Sequence, residues 1–352
     1  MSPLPPLEIT LVVFGAVAMD LALGDPRSRY HPTAWAGRLI AAVVTRFAGR
    51  GFWAERLGGA AAVVVTAGAA VAALLLLHHA IWYPGSAAAA SAAAYPGPHH
   101  HLAPAIASVL AGCVLLKCTI AIRGMQRHAC AVVDPLKNED GGAMGAARAR
   151  LAMIVKRKTG SLDREHVISG VLESIGENTV DGVTGPLFYY GLLGLPGAFI
   201  HRIVSTADSM VGYRSRMLGR LGWFAAHGDT VLNYLPARLT GLAMVGASAM
   251  LGYDWRCACR TMVRDHGKTE SPNSGYAMAA LAGALNVRLE KEGHYTLGGE
   301  GSAPDLCDVD RAVSLMRMTA LVFAAGVAVP LGLATVTVVG VVFGGVMPTW
   351  WW

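Results

Sequence analysis

Residues 58–83 contain no Asp, Glu, Lys or Arg. The run exceeds the roughly 20 residues a helix needs to cross the hydrocarbon core of a bilayer. Inside lipid only a helix or a closed barrel satisfies every backbone polar group. Further apolar runs occupy residues 7–23, 102–122, 183–204, 231–251 and 312–346. Hydrophobic residues make up 54% of the chain and charged residues 15%, against about 25% charged in ordinary soluble domains. Much of the length is therefore used in spanning. The expected fold is all-α: a polytopic integral membrane helical bundle forming one membrane-embedded domain over residues 1–352. Cytoplasmic amphipathic helices and loops are expected in the polar regions 24–57, 123–182, 205–230 and 252–311.

The net charge of +6 is unevenly spread. Residues 1–8 lack Lys and Arg, whereas the segment after the first apolar run holds Arg27, Arg29, Arg38, Arg46, Arg50 and Arg56. The segment after 102–122 is basic as well, from Arg123 to Arg164. Basic loops stay on the cytoplasmic side, so the expected location is the cell (inner) membrane, multi-pass, with the polar site facing the cytoplasm. Residues 1–8 have neither the basic start nor the small-residue cleavage site of a secretory signal, so the first run is read as a retained span. No stripe of aromatics alternates with the arginines, and the lipid bilayer accounts for the setting better than nucleic acid does. Six cysteines without CxxC spacing indicate neither a zinc site nor a disulfide framework.

Two regions resist a simple alternation of sides. Residues 183–204 are split by Gly194-Leu-Pro-Gly197, and basic residues follow both this run and 231–251. A hairpin or re-entrant segment at the Gly-Pro break resolves the conflict, because broken backbone is tolerated at membrane depth where it lines a protein cavity. The run 312–346 is too long for one untilted helix and contains Pro330, so it is read as a kinked helix or two. His99-His100-His101 lies in a loop free of Lys and Arg and is read as solvated. Trp350-Trp351-Trp352 fits an interfacial anchor.

Against this apolar background, carboxylates, amides and arginines crowd into residues 173–238. Unpaired, each would cost kilocalories beside membrane-grade segments, so the crowding points to a polar substrate. Glu173 and Glu177 are one helical turn apart, with Asn178 adjacent and Asp181 a further turn on. Like charges at that spacing disfavour a free helix by about 0.2–0.5 kcal/mol, which calls for a cation above them, either magnesium or a substrate ammonium. The alternative is a solvated acidic face, or pairing with Arg148 and Arg150. Asp208, Ser209, Tyr213 and Arg214, with Asp229, Asn233 and Arg238, supply acceptors, donors and permanent cations, and Arg presents a planar fork to phosphate or carboxylate. Ser271-Pro-Asn273 precedes a small-residue helix whose N-terminus suits an anion or is a plain capped turn. Asp25 and His31 sit on a proline-stiffened loop followed by Arg38, and Asp20 is read as a helix-end residue or the partner of a bundle arginine. No GxxxxGK[ST] phosphate loop occurs.

Taken in order, Gly24-Asp-Pro, His31-Pro32, Gly37-Arg38, the run Glu173 to Gly182 with Pro186-Leu-Phe188, Asp208 to Arg214, Asn233 to Arg238, and Ser271-Pro-Asn with Ala282 to Leu285 and Tyr295 resemble the CobD/CbiB family of cobalamin biosynthesis, the adenosylcobinamide-phosphate synthases. The likeness covers nearly the whole chain. It departs at Lys158, where an acidic residue is expected, and at Thr230, where a second Asp often follows.

The resemblance implies an integral membrane enzyme that joins adenosylcobyric acid to aminopropanol, or to its phosphate, through an amide bond. ATP and magnesium are the expected cofactors, and the corrinoid is a substrate rather than a cofactor. The resemblance also leaves room for a complex with other enzymes of the corrinoid pathway. On this reading Glu173, Glu177, Asp181, Asp208 and His31 are the catalytic candidates, with the first three holding magnesium. Asp25, Arg38, Asn178, Ser209, Tyr213, Arg214, Asp229, Asn233, Arg238, Ser271 and Asn273 are the binding candidates. Two rivals are a magnesium-dependent membrane transferase for diphosphates and a transporter. The first lacks a second Asp-rich motif, and the second should carry polar residues midway along broken spans in two related halves.

Overall fold

The structure is a computed structural model and describes residues 5–26, 29–82, 102–137, 142–155, 157–211 and 218–342. His99–His101, Tyr213, Arg214 and Trp350–Trp352 lie outside the described residues. In chain order the helices are α1 (Pro5–Leu23), α2 (Pro32–Phe47), α3 (Phe52–Trp82), α4 (Leu102–Lys117), α5 (Ile122–Val133), α6 (Ala143–Leu151), α7 (Arg164–Thr179), α8 (Gly185–Val211), α9 (Leu218–Leu221), α10 (Trp223–Leu232), α11 (Tyr234–Met250), α12 (Trp255–Asp265), α13 (Ser274–Leu285), α14 (Leu306–Phe323) and α15 (Val329–Val342). A two-stranded antiparallel hairpin, β1 (Leu289–Lys291) and β2 (Tyr295–Leu297), pairs Glu290 with Thr296.

Five helical stretches among the described residues are long and apolar enough to cross a membrane: Pro6–Leu23, Phe52–Trp82, Leu102–Lys137, Arg164–Val211 and Leu306–Val342. The protein is a multi-pass helical membrane protein. The fourth stretch begins at Arg164 rather than near residue 183, because α7 continues through a π-helical turn, Val180–Thr184, into α8. Conversely, the expected span 231–251 is α11, which with 17 residues is not one of the five. The Gly-Leu-Pro-Gly stretch interrupts α8 at Gly194, whose φ of 66° and ψ of −157° are non-helical; a residue without Cβ adopts this geometry at low strain.

The chain divides into two compact units. The first comprises residues 1–120, 186–229 and 327–352. Here α1 packs on α4 and α15, and α2 packs on α3. Small residues permit close approach, as is common between membrane helices: a Cβ on Gly112 would meet Val12 at 3.0 Å, and one on Gly191 would meet the Ala328 carbonyl at 2.6 Å. Helix α1 stops at Gly24, where φ is 69° and the N–H donates to the Asp20 carbonyl at 2.9 Å, a left-handed cap followed by a proline that cannot continue the helix. The entry to α2 is built from His31, whose Nδ1 accepts the Thr33 N–H, and from Pro32 at the first helical position.

The second unit comprises residues 121–185 and 230–326. Its centre is α13, buried from Gly275 to Leu285 apart from Tyr276 and surrounded by α7, α11, α12 and α14. A helix apolar on all sides belongs in a core, and this one is thin enough for tight packing. A Cβ on Gly283 would lie 2.6 Å from the Cys257 carbonyl. The periodic residues of α7, Val167, Ile168, Val171, Leu172 and Ile175, are all buried. So are Ser169, Glu173 and Ser174 on its other faces, which makes α7 a core helix rather than an amphipathic surface one.

Candidate functional site

In the second unit Glu173 is buried at 7% exposure and is held by four donors. Oε1 accepts from Arg157 Nη2 at 3.1 Å and from the Ser169 hydroxyl at 2.9 Å. Oε2 accepts from the Tyr295 hydroxyl at 2.7 Å and from Arg157 Nη1 at 3.4 Å. The Ser169 oxygen in turn accepts the Glu290 N–H at 2.8 Å, so the network fastens the hairpin to α7. Burial, and then the charges of Glu173 and Glu177, push the Tyr295 phenol well above its ordinary value. It therefore stays protonated and donates.

One turn on, Glu177 is exposed and Asn178 half-buried. The Asn178 amide donates to the Ser174 carbonyl at 2.9 Å, within its own helix. Asp181 lies in the π-turn, a feature frequent at functional sites, and accepts from the Asn233 amide at 3.0 Å. Asn233 opens α11 and is 1% exposed. Five residues later Arg238 lies flat against Tyr234, its guanidinium 3.4 Å from the ring centroid, with the Tyr276 ring at 4.6 Å. Arg238 Nη1 also donates to Asn273 Oδ1 at 3.4 Å. The Asn273 amide donates to the Thr230 carbonyl at 2.8 Å. Ser271 Oγ accepts the Asn273 and Ser274 N–H groups at 3.3 and 3.5 Å, which makes it the cap of the turn before α13. Asp181 with Asn233, and Arg238 with Asn273 and Ser271, thus form two sets of contacts at the starts of α11 and α13. A guanidinium packed over two aromatic rings is pre-organised for an anion.

In the first unit Asp25 lies 3.3 Å from the Lys117 ammonium and 3.6 Å from His31 Nε2. Burial raises the Asp25 carboxyl, but the His31 hydrogen bond and the Lys117 charge outweigh it and hold the group below its ordinary value. Lys117, at the end of α4, also lies 3.7 Å from Asp20. The expected arginine partner of Asp20 is therefore a lysine. Arg38 is exposed on α2, beside Gly37, where a Cβ would meet the Met210 sulfur at 3.3 Å. Asp208 and Asp229 are half-buried and Ser209 is exposed.

The sequence model of the CobD/Cbib protein family matches residues 13–338. The chain belongs to the CobD/CbiB family. Among similar curated proteins of this family, the "Probable cobalamin biosynthesis protein CobD" of Methanothermobacter thermautotrophicus is 37% identical over 323 residues, covering 91% of this chain and 98% of that one. The "Cobalamin biosynthesis protein CobD" of Geobacter metallireducens is 39% identical over 282 residues, 80% of this chain and 81% of its own. That of Dehalococcoides mccartyi is 34% identical over 294 residues, 84% and 88%. No solved structure is significantly similar to the chain.

For this CobD/CbiB member the expected magnesium ligands Glu173, Glu177 and Asp181 do not form a three-carboxylate cage. Both Glu173 oxygens face donors from the protein, and the Asp181 Oδ1 atom accepts from Asn233. Among the described residues no group of three or more His, Cys, Asp and Glu side chains is placed to hold a metal ion. The alternative of pairing with Arg148 and Arg150 takes a different form: Arg157 pairs with Glu173, and Arg148 donates to the Leu162 carbonyl at 2.7 Å. Arg157, Ser169 and Lys117 carry no motif of their own. The one advance signal was the strongly basic segment around Arg157 facing an acidic helix.

Proposed function

We propose that the protein is an adenosylcobinamide-phosphate synthase of cobalamin biosynthesis. It joins the carboxylate of adenosylcobyric acid to aminopropanol, or to its phosphate, with ATP as the energy source. The family match from residue 13 to 338 carries this reading, supported by curated relatives named for cobalamin biosynthesis over at least four-fifths of the chain. The pairs Asp181–Asn233 and Arg238–Asn273 add a chemical reason, because they offer a carboxylate, amides and a fixed cation outside the long apolar stretches, except for Asp181.

A carboxylate is a poor acyl donor, so amide formation needs activation. A carboxylate oxygen of the corrinoid attacks the γ-phosphorus of ATP and ADP leaves, giving an acyl phosphate. The free amine of aminopropanol then attacks the carbonyl carbon and phosphate departs. The proton lost by the amine needs a base of carboxylate or imidazole type. His31 is a helix-capping residue: its Nδ1 lone pair accepts the Thr33 N–H and its Nε2 faces Asp25, leaving no lone pair for a substrate. Arg238 holds the phosphate or the activated carboxylate. Magnesium enters as part of MgATP, a substrate.

The test is product formation by purified protein in lipid nanodiscs given adenosylcobyric acid, aminopropanol phosphate and MgATP. The expected result is adenosylcobinamide phosphate by mass, with one ADP per amide. Arg238→Ala should lower kcat/KM about 100-fold, the scale of a lost charged anion contact of about 2–3 kcal/mol, in a protein that still melts cooperatively. Absence of the amide with either amine, from a protein that melts cooperatively, overturns the assignment.

A further inference from the structure

One groove on the first unit has nothing to do with the residues above. About 620 Å³ in volume, it runs along α3 and is lined by Val63, Val71 and Leu75 of that helix, Ile200 and Val204 of α8, and Phe224 of α10, with no polar side chain on its walls. Its α3 stripe from Val63 to Leu75 covers about 18 Å at 1.5 Å per residue. One leaflet of a bilayer core is about 15 Å deep.

The end of the groove is charged. Arg56 lies seven residues before Val63, on the same helical face and about 10 Å along the axis. Its guanidinium sits over Phe52 at 4.6 Å and over Trp223 at 4.7 Å, and Trp223 is the neighbour of the groove-lining Phe224. Among the described residues no carboxylate pairs with Arg56, and its Nε has no hydrogen-bond partner. The adjacent Glu55 is taken by Arg220 at 3.4 Å and by the Gly49 N–H at 3.1 Å. Phe52, Trp53 and Trp223 are exposed around it, and clustered Trp marks the headgroup level of a membrane.

We propose that this groove is a binding site for an anionic phospholipid, one acyl chain lying along α3 and the headgroup phosphate meeting Arg56. An acyl chain matches the apolar walls and their one-leaflet depth. The uncompensated guanidinium at the headgroup level selects negative charge over a zwitterion.

Native mass spectrometry of the full chain in detergent tests this, titrating phosphatidylglycerol against phosphatidylcholine with identical acyl chains. Wild type should retain phosphatidylglycerol at about five-fold lower lipid concentration, the equivalent of about 1 kcal/mol for one basic side chain. Arg56→Gln should abolish that preference while phosphatidylcholine retention stays unchanged. Ala72→Trp, which fills the groove from an exposed position, should reduce retention of both lipids. Arg46→Gln, an exposed arginine on α2, should change nothing. Equal retention of the two lipids by wild type, or equal losses from Arg56→Gln and Arg46→Gln, overturns the proposal.

Discussion

Two long helical stretches, Phe52–Trp82 and Arg164–Val211, are both apolar, yet they face different surroundings. In Phe52–Trp82 only 22% of the most apolar window is buried by protein, whereas in Arg164–Val211 the share is 78%. The first presents Val64, Val65 and Leu76 outward. The second, over its α7 part, buries Glu173, Ser169 and Ser174 along with its valines. Lipid tails are as apolar as leucine, so a lipid-facing helix gains little from any one contact. A helix enclosed by protein must instead satisfy each polar group it carries. The same contrast separates their roles: α3 offers a lipid groove with one cation at its end, and α7 holds a polar network in register with the hairpin.

Substitutions should follow that contrast. The largest loss is expected for Glu173→Ala, which leaves the Arg157 guanidinium, 14% exposed, without its carboxylate. Breaking one partner out of a buried pair destabilises by about 3–5 kcal/mol. Thermal unfolding in detergent should show it, and a drop no larger than that of a surface substitution would mean that the network is not buried in solution.

An intermediate loss is expected at Asp265. Its side chain is fully buried, with Arg264 at 2.9 Å, Lys268 at 2.7 Å and the Gly298 N–H at 2.9 Å. Burial raises its pKa, but these partners prevail and bring it to about 2, against 3.8 for the free group. A depressed carboxyl stabilises the fold above its unfolded value. The contribution is therefore complete above about pH 4 and fades as the pH falls toward 2. Asp265→Asn should destabilise by about 2 kcal/mol at neutral pH, and unfolding midpoints measured from pH 6 to pH 2 should converge with wild type at the acid end. Parallel curves across that range would remove the ion cluster from the account.

The smallest effect belongs to the first stretch. Leu76 is 70% exposed on α3, and Leu76→Ala should change the unfolding free energy by less than about 0.5 kcal/mol. A loss comparable with that of Glu173→Ala would show that this face meets protein rather than lipid.

Much of this architecture was legible in the chain. The apolar runs announced membrane helices, and the 3.6-residue spacing of Val167, Ile168, Val171, Leu172 and Ile175 marked a buried face of α7. Boundaries were less legible. Helix α3 starts at Phe52, before Glu55 and Arg56, because Glu55 is neutralised by Arg220 and need not wait for the apolar run. The pairing of charges was harder still. Glu173 could be placed on a helix, but its partner Arg157 lies in a segment with other cations, and the fold alone brings it and Tyr295 together. Asp20 likewise waits for Lys117 on another helix.

Hydropathy and periodicity are properties of neighbouring residues, so the chain by itself determined that it is helical, that it spans a membrane, and where its polar chemistry concentrates. Which carboxylate is neutralised by which cation, and which apolar face meets protein or lipid, depend on contacts between residues distant in the chain. Those were decided only when the helices packed, and they make Glu173 an anchor, Arg238 a pre-organised cation and Arg56 an uncompensated one.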